Sequence, residues 1–375
     1  MKELNIRGLI AKVPIIQGGM AVGISKNRLA SAVANAGGIG VIATAGIAHL
    51  AEDAMSNFVE ANNRVFAEEI RKAKALTKGI IGVNIMAVLS NYASLAKVAI
   101  QEKADIIFSG AGLPLSLPSF LPEGNITTKL VPIVSSAKAL MLIARRWIGK
   151  FNYVPDAVVI EGPLAGGHLG FKKEDISKEE FSLEKLVPEV VAQAKELEDK
   201  HGKPVPVIAA GGIYSGADIK KFIDMGASGV QMATRFVATH ECDASDEIKN
   251  AFVNAKKEDI VIIESPVGMP GRAIRNQFLD DVAGGRKKPF KCPFHCIITC
   301  NMKNAPYCIA NALCNATEGK LAEGFAFAGQ NVWRVDKVVH VSELMQSLQD
   351  EYAEAKKNNA KIPVNVLSRE NRLFS

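Results

Sequence analysis

The 375-residue chain predicts an α/β fold, a (β/α)8 barrel (TIM barrel) with a C-terminal cap region, and three observations point there. Eight short apolar runs recur between residues 13 and 232, each closed by small or polar residues, as strands buried on both faces read. Helical patterns separate most of them. Strand and helix alternating eight times demands a parallel sheet, and eight strands close around a side-chain-filled interior. Glycine-rich turns follow several of these runs. A doubly wound open sheet would instead carry one G-x-G-x-x-G turn after its first strand, where this chain has Gln17-Gly18-Gly19-Met20.

In chain order the expected strands are 13–17, 39–42, 80–85, 105–109, 131–135, 157–160, 205–209 and 229–232. The first expected helix is capped by Ser25 and runs through Ala36, ended by Gly37-Gly38. Further helical patterns cover 50–77, 92–101, 137–148, 183–200 and 216–225. After Met232 the alternation stops. Residues 242–290 read as helix and loop, with the turn string Ser265-Pro266-Val267-Gly268-Met269-Pro270-Gly271-Arg272 among them. A cysteine-rich segment (291–314) follows, then turns at Gly324 and Gly329 and a helix over 342–356. The expected division is a barrel over 1–240 and a cap over 241–375, packed across the barrel mouth.

Composition narrows the partners. Aromatics are sparse, and the net charge of +6 is spread widely. The densest basic blocks, Arg71-Lys72-Ala73-Lys74 and Arg286-Lys287-Lys288, are short and lack interleaved aromatics, so they read as solvated faces rather than nucleic-acid sites. No apolar run is long enough to span a bilayer, and Met1-Lys2-Glu3-Leu4-Asn5 lacks a signal-peptide core. A cytoplasmic enzyme acting on a small molecule is the expectation, with neither nucleic acid nor membrane as partner.

A barrel of this type keeps its chemistry at the C-terminal ends of its strands. The sixth run opens there into Glu161-Gly162-Pro163-Leu164-Ala165-Gly166-Gly167-His168-Leu169-Gly170. His168 is the acid/base candidate, because an imidazole titrates near working pH and the flanking glycines leave room for reactants. The bland alternative is a histidine hydrogen-bonded into the wall. Ala209-Ala210-Gly211-Gly212-Ile213 and Gln231-Met232-Ala233-Thr234-Arg235-Phe236 follow strands seven and eight, where backbone N–H groups commonly bind phosphate. Tight turns alone would also explain those glycines. Asn84, ending the third run, offers an amide that can read a ring edge carrying donors and acceptors, though a loop-capping role fits equally.

These segments, in this order, resemble the nitronate monooxygenase (2-nitropropane dioxygenase) superfamily, which includes the FMN-dependent enoyl-ACP reductases. The resemblance rests on residues 13–20, 35–40, 82–86, 165–170, 209–213 and 230–236, and returns at Ala328-Gly329-Gln330. It implies FMN held by Gly19, Met20, Asn84, Glu161, Gly166, Gly167, Gly211, Gly212, Gln231, Met232, Ala233 and Thr234, with His168 facing the flavin. In the monooxygenases the matching histidine acts as base toward a nitroalkane or orients the nitronate. Oxidation by O2 then releases nitrite and a carbonyl compound. In the reductases NAD(P)H reduces FMN, which reduces an enoyl thioester. Gln17-Gly18-Gly19-Met20 is nearer the reductase pattern than the Gln-Ala-Pro-Met common among the monooxygenases. The expected partners are therefore a nitronate or an enoyl thioester, NAD(P)H under the second reading, and a second copy of the chain in a homodimer.

The cysteine segment belongs to neither pattern. Cys292, Cys296 and Cys300 are spaced by four, which on a helix forms one stripe, and Cys308 could complete four thiolates for an iron–sulfur cluster or zinc, with Cys314 in reserve. Cys242 is remote from this set. Burial of small apolar thiols in cap helices is the alternative.

Overall fold

The computed structural model describes residues 1–124, 127–287, 292, 295–301 and 303–360. A two-strand hairpin, β1 (Leu4–Ile6) and β2 (Leu9–Ala11), precedes the barrel. Eight parallel strands then close on one another: β3 (Ile15–Gln17), β4 (Ile39–Ala43), β5 (Ile80–Met86), β6 (Ile106–Gly110), β7 (Lys129–Val134), β8 (Val158–Glu161), β10 (Val207–Ala210) and β11 (Gly229–Met232). β11 pairs with β3 to complete the ring. Each expected apolar run is a barrel strand, with ends displaced by no more than two residues. The fold is a (β/α)8 barrel.

Because successive strand residues point to opposite faces, each barrel strand feeds two cores. Ile16, Val41, Phe108, Val131, Val159 and Ile208 fill the interior, and Leu4, Ile6 and Ala11 of the hairpin close its floor. The hairpin escapes the strand patterns because its runs are only three residues long. Its turn, Arg7-Gly8, has positive φ at both residues, the backbone hand that suits a tight two-residue connection. Outward residues such as Ile42, Val83, Ile107 and Ile160 pack against the helices.

Those helices are α1 (Asn27–Asn35), α2 (Phe58–Leu76), α3 (Tyr92–Gln101), α4 (Ala137–Phe151), α5 (Leu183–His201) and α6 (Gly216–Asp224). Two start differently from expectation. Ser25 does not cap α1; its hydroxyl bonds the backbone of Met20, and Lys26 stands at the cap. The helix expected from residue 50 begins at Phe58, and the residues before it are turns lining the barrel mouth. α6 carries a full capping box, Ser215 with Asp218.

Beyond β11 lie α7 (Thr234–Val237), α8 (Asp246–Val253), the hairpin β12 (Ile260–Glu264) and β13 (Pro270–Ile274), α9 (Gln277–Ala283) and α10 (Ile309–Thr317). The hairpin joins β9 (Gly167–His168) in a three-stranded antiparallel sheet over the mouth. The last helix, α11 (Val341–Ala360), departs from its expected place in the cap. Val341, Leu344, Met345 and Leu348 are buried in the core shared with the barrel helices. Gly216, opening α6, lies so close that an added Cβ would stand 2.2 Å from the backbone N of Tyr352, and its N–H donates to Glu351 at 2.7 Å. α11 packs on α6 and α1, the position of a barrel's eighth helix, so the segment between β11 and α11 is inserted before that helix. Among the described residues no helix is long and apolar enough to cross a membrane.

Candidate active site

One cavity of about 590 Å³ occupies the C-terminal mouth of the barrel, under the cap. All thirteen residues singled out for FMN or catalysis line it. Gly19 and Met20 enter from the end of β3, Asn84 from β5, and Glu161 with Gly166, Gly167 and His168 from the turn after β8. Gly211 and Gly212 come from the turn after β10, and Gln231, Met232, Ala233 and Thr234 from the end of β11. The parallel topology requires this convergence, since it places the C-terminal end of every strand on one rim.

The two glycine turns are shaped by close backbone approach. Gly211 has φ of +93°, and a Cβ there would sit 2.7 Å from the carbonyl O of Gly162. A Cβ on Gly166 would sit 2.5 Å from the backbone of Ala328 and Gly329, so a side chain would push the cap off the rim. The cap is also bonded down. Gly329 N donates to Thr234 Oγ1 at 3.3 Å, Gln330 N to the Leu164 carbonyl at 3.1 Å, and Asn331 Nδ2 to the Gly212 carbonyl at 2.6 Å. Gln17, beside the cofactor candidates, is structural: its buried side chain accepts from Val41 N at 3.0 Å and donates to the Gly18 carbonyl.

His168 stands in β9, in register with Gly271 of β13. Its Nε2 lies 2.7 Å from the Ser265 hydroxyl, and its ring meets Phe327 edge-on at 5.0 Å. Burial pushes the imidazole down to about 4, because an imidazolium would lose its water there. An unperturbed imidazole titrates near working pH; burial here favours the uncharged ring of His168 at neutral pH. Glu161 shows the complement. Burial pushes its carboxyl up to about 7, with no cation or hydrogen-bond donor opposing the shift.

Two partners of His168, Ser265 and Phe327, and one support of its turn, Arg272, gave no chemical signal in the sequence. Arg272 of β13 is 2% exposed and donates through Nη1 to the carbonyls of Pro163 and Ala165, each at 2.6 Å. It clamps the turn that carries Gly166 and His168, while its Nε has no partner among the described residues. With no carboxylate beside it, burial lowers its pKa to about 10.

The cysteines do not form the expected helical stripe. Ile297 bridges Leu89 antiparallel, Ser90 N donates to the Cys296 carbonyl and Ile298 N to that of Val88, so this stretch is extended against the turn after β5. The helix that the stripe presupposes is therefore absent at 296–298. Cys308 caps α10, and Cys314 lies on it. Cys296 and Cys314 face the cavity, and burial raises both thiols to about 12. Among the described residues no group of three or more His, Cys, Asp or Glu side chains could hold a metal ion. Cys242 is fully buried beside the carbonyl of Ile24.

The family model for nitronate monooxygenase matches residues 4–351. The chain is 28% identical over 274 residues to an octahydroindene-carboxyl-CoA dehydrogenase of Mycobacterium tuberculosis, covering 73% of this chain and 66%, just under two thirds, of that protein. It is 29% identical to a probable nitronate monooxygenase of Staphylococcus saprophyticus, over 73% of this chain and 79% of that one. FabK from Thermotoga maritima superposes with a TM-score of 0.70 at 27% identity, covering 93% of this chain and 96% of that one.

Proposed function

The chain belongs to the nitronate monooxygenase family, and from that premise we propose that it is an FMN-dependent oxidoreductase that oxidises alkyl nitronates with O2 to carbonyl compounds and nitrite. The observation that carries this reading is the single cavity at the barrel mouth, lined by every residue that the family resemblance assigns to FMN or to catalysis. The donor set suits the group. The glycine turns and Thr234 that line the cavity fit a phosphate, while the Asn84 carboxamide, free of hydrogen bonds among the described residues, fits a ring edge. Bound FMN would supply two-electron redox chemistry beside His168.

The chain's own residues then have defined tasks. A neutral His168 can orient a nitronate by donating a hydrogen bond to its oxygen, or accept a proton from a nitroalkane carbon through an unprotonated ring nitrogen. Glu161, its carboxyl pushed up to about 7 by burial, is mostly protonated below that pH and then leaves an anionic substrate without a repelling carboxylate at the rim. The cap, held at Gly329–Asn331 and by the β12–β13 hairpin, excludes bulk water from the reacting end.

A second reading, reduction of an enoyl thioester by NAD(P)H, is favoured by one feature of the cavity. Its lining includes the apolar side chains of Met55, Phe58, Ile248, Phe252 and Leu313, which suit a chain longer than a short nitronate. Two experiments separate the readings. The purified protein is expected to release FMN on acid treatment, one per chain; FAD, or no flavin after reconstitution, would overturn both. Under the first reading a short-chain alkyl nitronate is consumed in air with nitrite formed, and anaerobic NADH bleaches the flavin slowly. Rapid bleaching by NADH without nitrite formation selects the reductase.

A further inference from the structure

We propose that Ser265 is the positioning residue of His168, its hydroxyl holding the imidazole in place and matching either protonation pattern of the ring; this rests on the role proposed above for His168. Ser265 follows β12 in a turn closed by its own backbone: its N–H donates to the Met269 carbonyl at 3.1 Å, and Gly268 N donates to its carbonyl at 2.9 Å. Thr299 Oγ1 braces the same turn through the Val267 carbonyl at 2.9 Å. Ser265 is 7% exposed, so water does not compete for its hydroxyl. His168 is carried by β9, which pairs with β13, the other arm of the same hairpin, and Leu169 N donates to the Pro270 carbonyl at 2.8 Å. Both ends of the 2.7 Å contact are therefore fixed by one small sheet.

The choice of hydroxyl carries the chemistry. When Nε2 bears hydrogen, Ser265 Oγ accepts from it and leaves Nδ1 unprotonated; when Nδ1 bears hydrogen, Ser265 donates to Nε2. Nδ1 makes no hydrogen bond among the described residues, and His168 lines the cavity, so Nδ1 is the nitrogen left for substrate. A proton accepted at Nδ1 gives an imidazolium whose Nε2–H still donates to Ser265, and the same proton returns from Nδ1 with Ser265 unchanged. A carbonyl in its place would only accept and would pin hydrogen on Nε2. A carboxylate would stabilise the imidazolium and remove the neutral state that burial enforces. The Phe327 ring packs against the imidazole in an edge arrangement, centroids 5.0 Å apart.

The test is Ser265→Ala, with Ser265→Thr as the conservative control, in the flavin-loaded full-length protein. The ring is read directly by imidazole ¹⁵N NMR, with His168→Gln to assign its signals among those of the six histidines. Ser265→Ala is expected to shift the His168 Nε2 resonance and the tautomer ratio and leave the other histidines in place, while Ser265→Thr retains the wild-type pattern. With a short-chain alkyl nitronate, turnover should fall about tenfold at unchanged KM and flavin content, the factor one hydrogen bond between neutral groups supplies. Unaltered His168 resonances in Ser265→Ala overturn the proposal, whatever the substrate proves to be. Shifted resonances with wild-type turnover also overturn it, provided His168→Ala is impaired. If His168→Ala keeps wild-type turnover while the resonances shift, the contact stands and the acid/base reading of His168 is what fails.

Discussion

Two histidines line the cavity at the barrel mouth, and they are held in different ways. His168, in the cap sheet, meets a hydroxyl that can donate or accept. His49, in the turns after β4, has Nδ1 2.9 Å from the carbonyl of Gly46, which only accepts, so its hydrogen is fixed on Nδ1. Its Nε2 is buried with no hydrogen-bond partner among the described residues, and the carboxylate of Glu318 stands 3.9 Å away. Burial lowers the pKa of both imidazoles, foremost through lost hydration. Burial therefore does not distinguish a reactive histidine from a wall histidine. What differs is the partner on the far nitrogen: a carbonyl fixes one tautomer of His49, whereas the Ser265 hydroxyl accommodates both tautomers of His168.

The largest effect expected from this comparison is in His168→Ala, which should lower turnover by about 10²-fold or more and leave FMN content intact. Steady-state rates with flavin quantified per chain check it, and a wild-type rate would put His168 in the same class as His49. The wild-type rate should also keep its neutral-imidazole form down to about pH 4: activity is present above that value and falls as pH drops through it. An acidic limb near 6.5 would show an unburied ring.

Glu161 on the His168 side should produce a pH-dependent stability difference. Its folded pKa is raised from 4.5 to about 7, so the protonated carboxyl's contribution is complete below 4.5 and lost as pH rises through 7. Glu161→Gln should accordingly gain on the wild type by up to about 3 kcal/mol over that interval, 1.36 kcal/mol per pKa unit. Urea unfolding of flavin-free protein at pH 4.5 and pH 8 measures this, and a constant difference would count against a buried, unpaired carboxyl.

Arg272→Met removes the clamp on the turn bearing His168. Two carbonyls lose charged donors while a desolvated cation disappears, and the net cost should be about 2 kcal/mol. Chemical denaturation checks the figure, and flavin retention should fall because Gly166 and Gly167 lose their support. The smallest effect belongs to His49→Leu: one hydrogen bond is lost and one partnerless nitrogen is relieved, so stability should change by less than about 1 kcal/mol. Turnover should follow within about twofold, and a His168-sized loss would erase the distinction between the two rings.

The barrel was legible because its signals are local. Ile39, Val41 and Ile42 must be apolar whichever core they face, and the alternation of such runs with helices leaves a parallel sheet as the solution. Glycines at 166, 211 and 212 and the amide of Asn84 mark the rim through composition alone, and family resemblance ordered them. His168 was legible as a polar residue among glycines. The spacing of the cysteines misled as to backbone, since Cys292, Cys296 and Cys300 were read as one helical stripe, and the backbone at 296–298 pairs with the turn after β5 instead. Ser25 misled in the same manner, drawn to the backbone of Met20 rather than to α1.

By itself, then, the sequence determined the strand count, the closed parallel architecture and the residues that ring its mouth, because each follows from chain-local periodicity and from the topology that parallel strands impose. Tertiary structure alone decided the electrical state and partners of those residues. Ser265 lies 97 positions from His168, and Arg272 lies 109 from Pro163 and 107 from Ala165. Tertiary structure also set α11 against α6 and α1, closing the ring of helices with the end of the chain. The physical reason is that pKa values and hydrogen-bond partners depend on how much water is excluded and which groups meet, and both are properties of the packed chain.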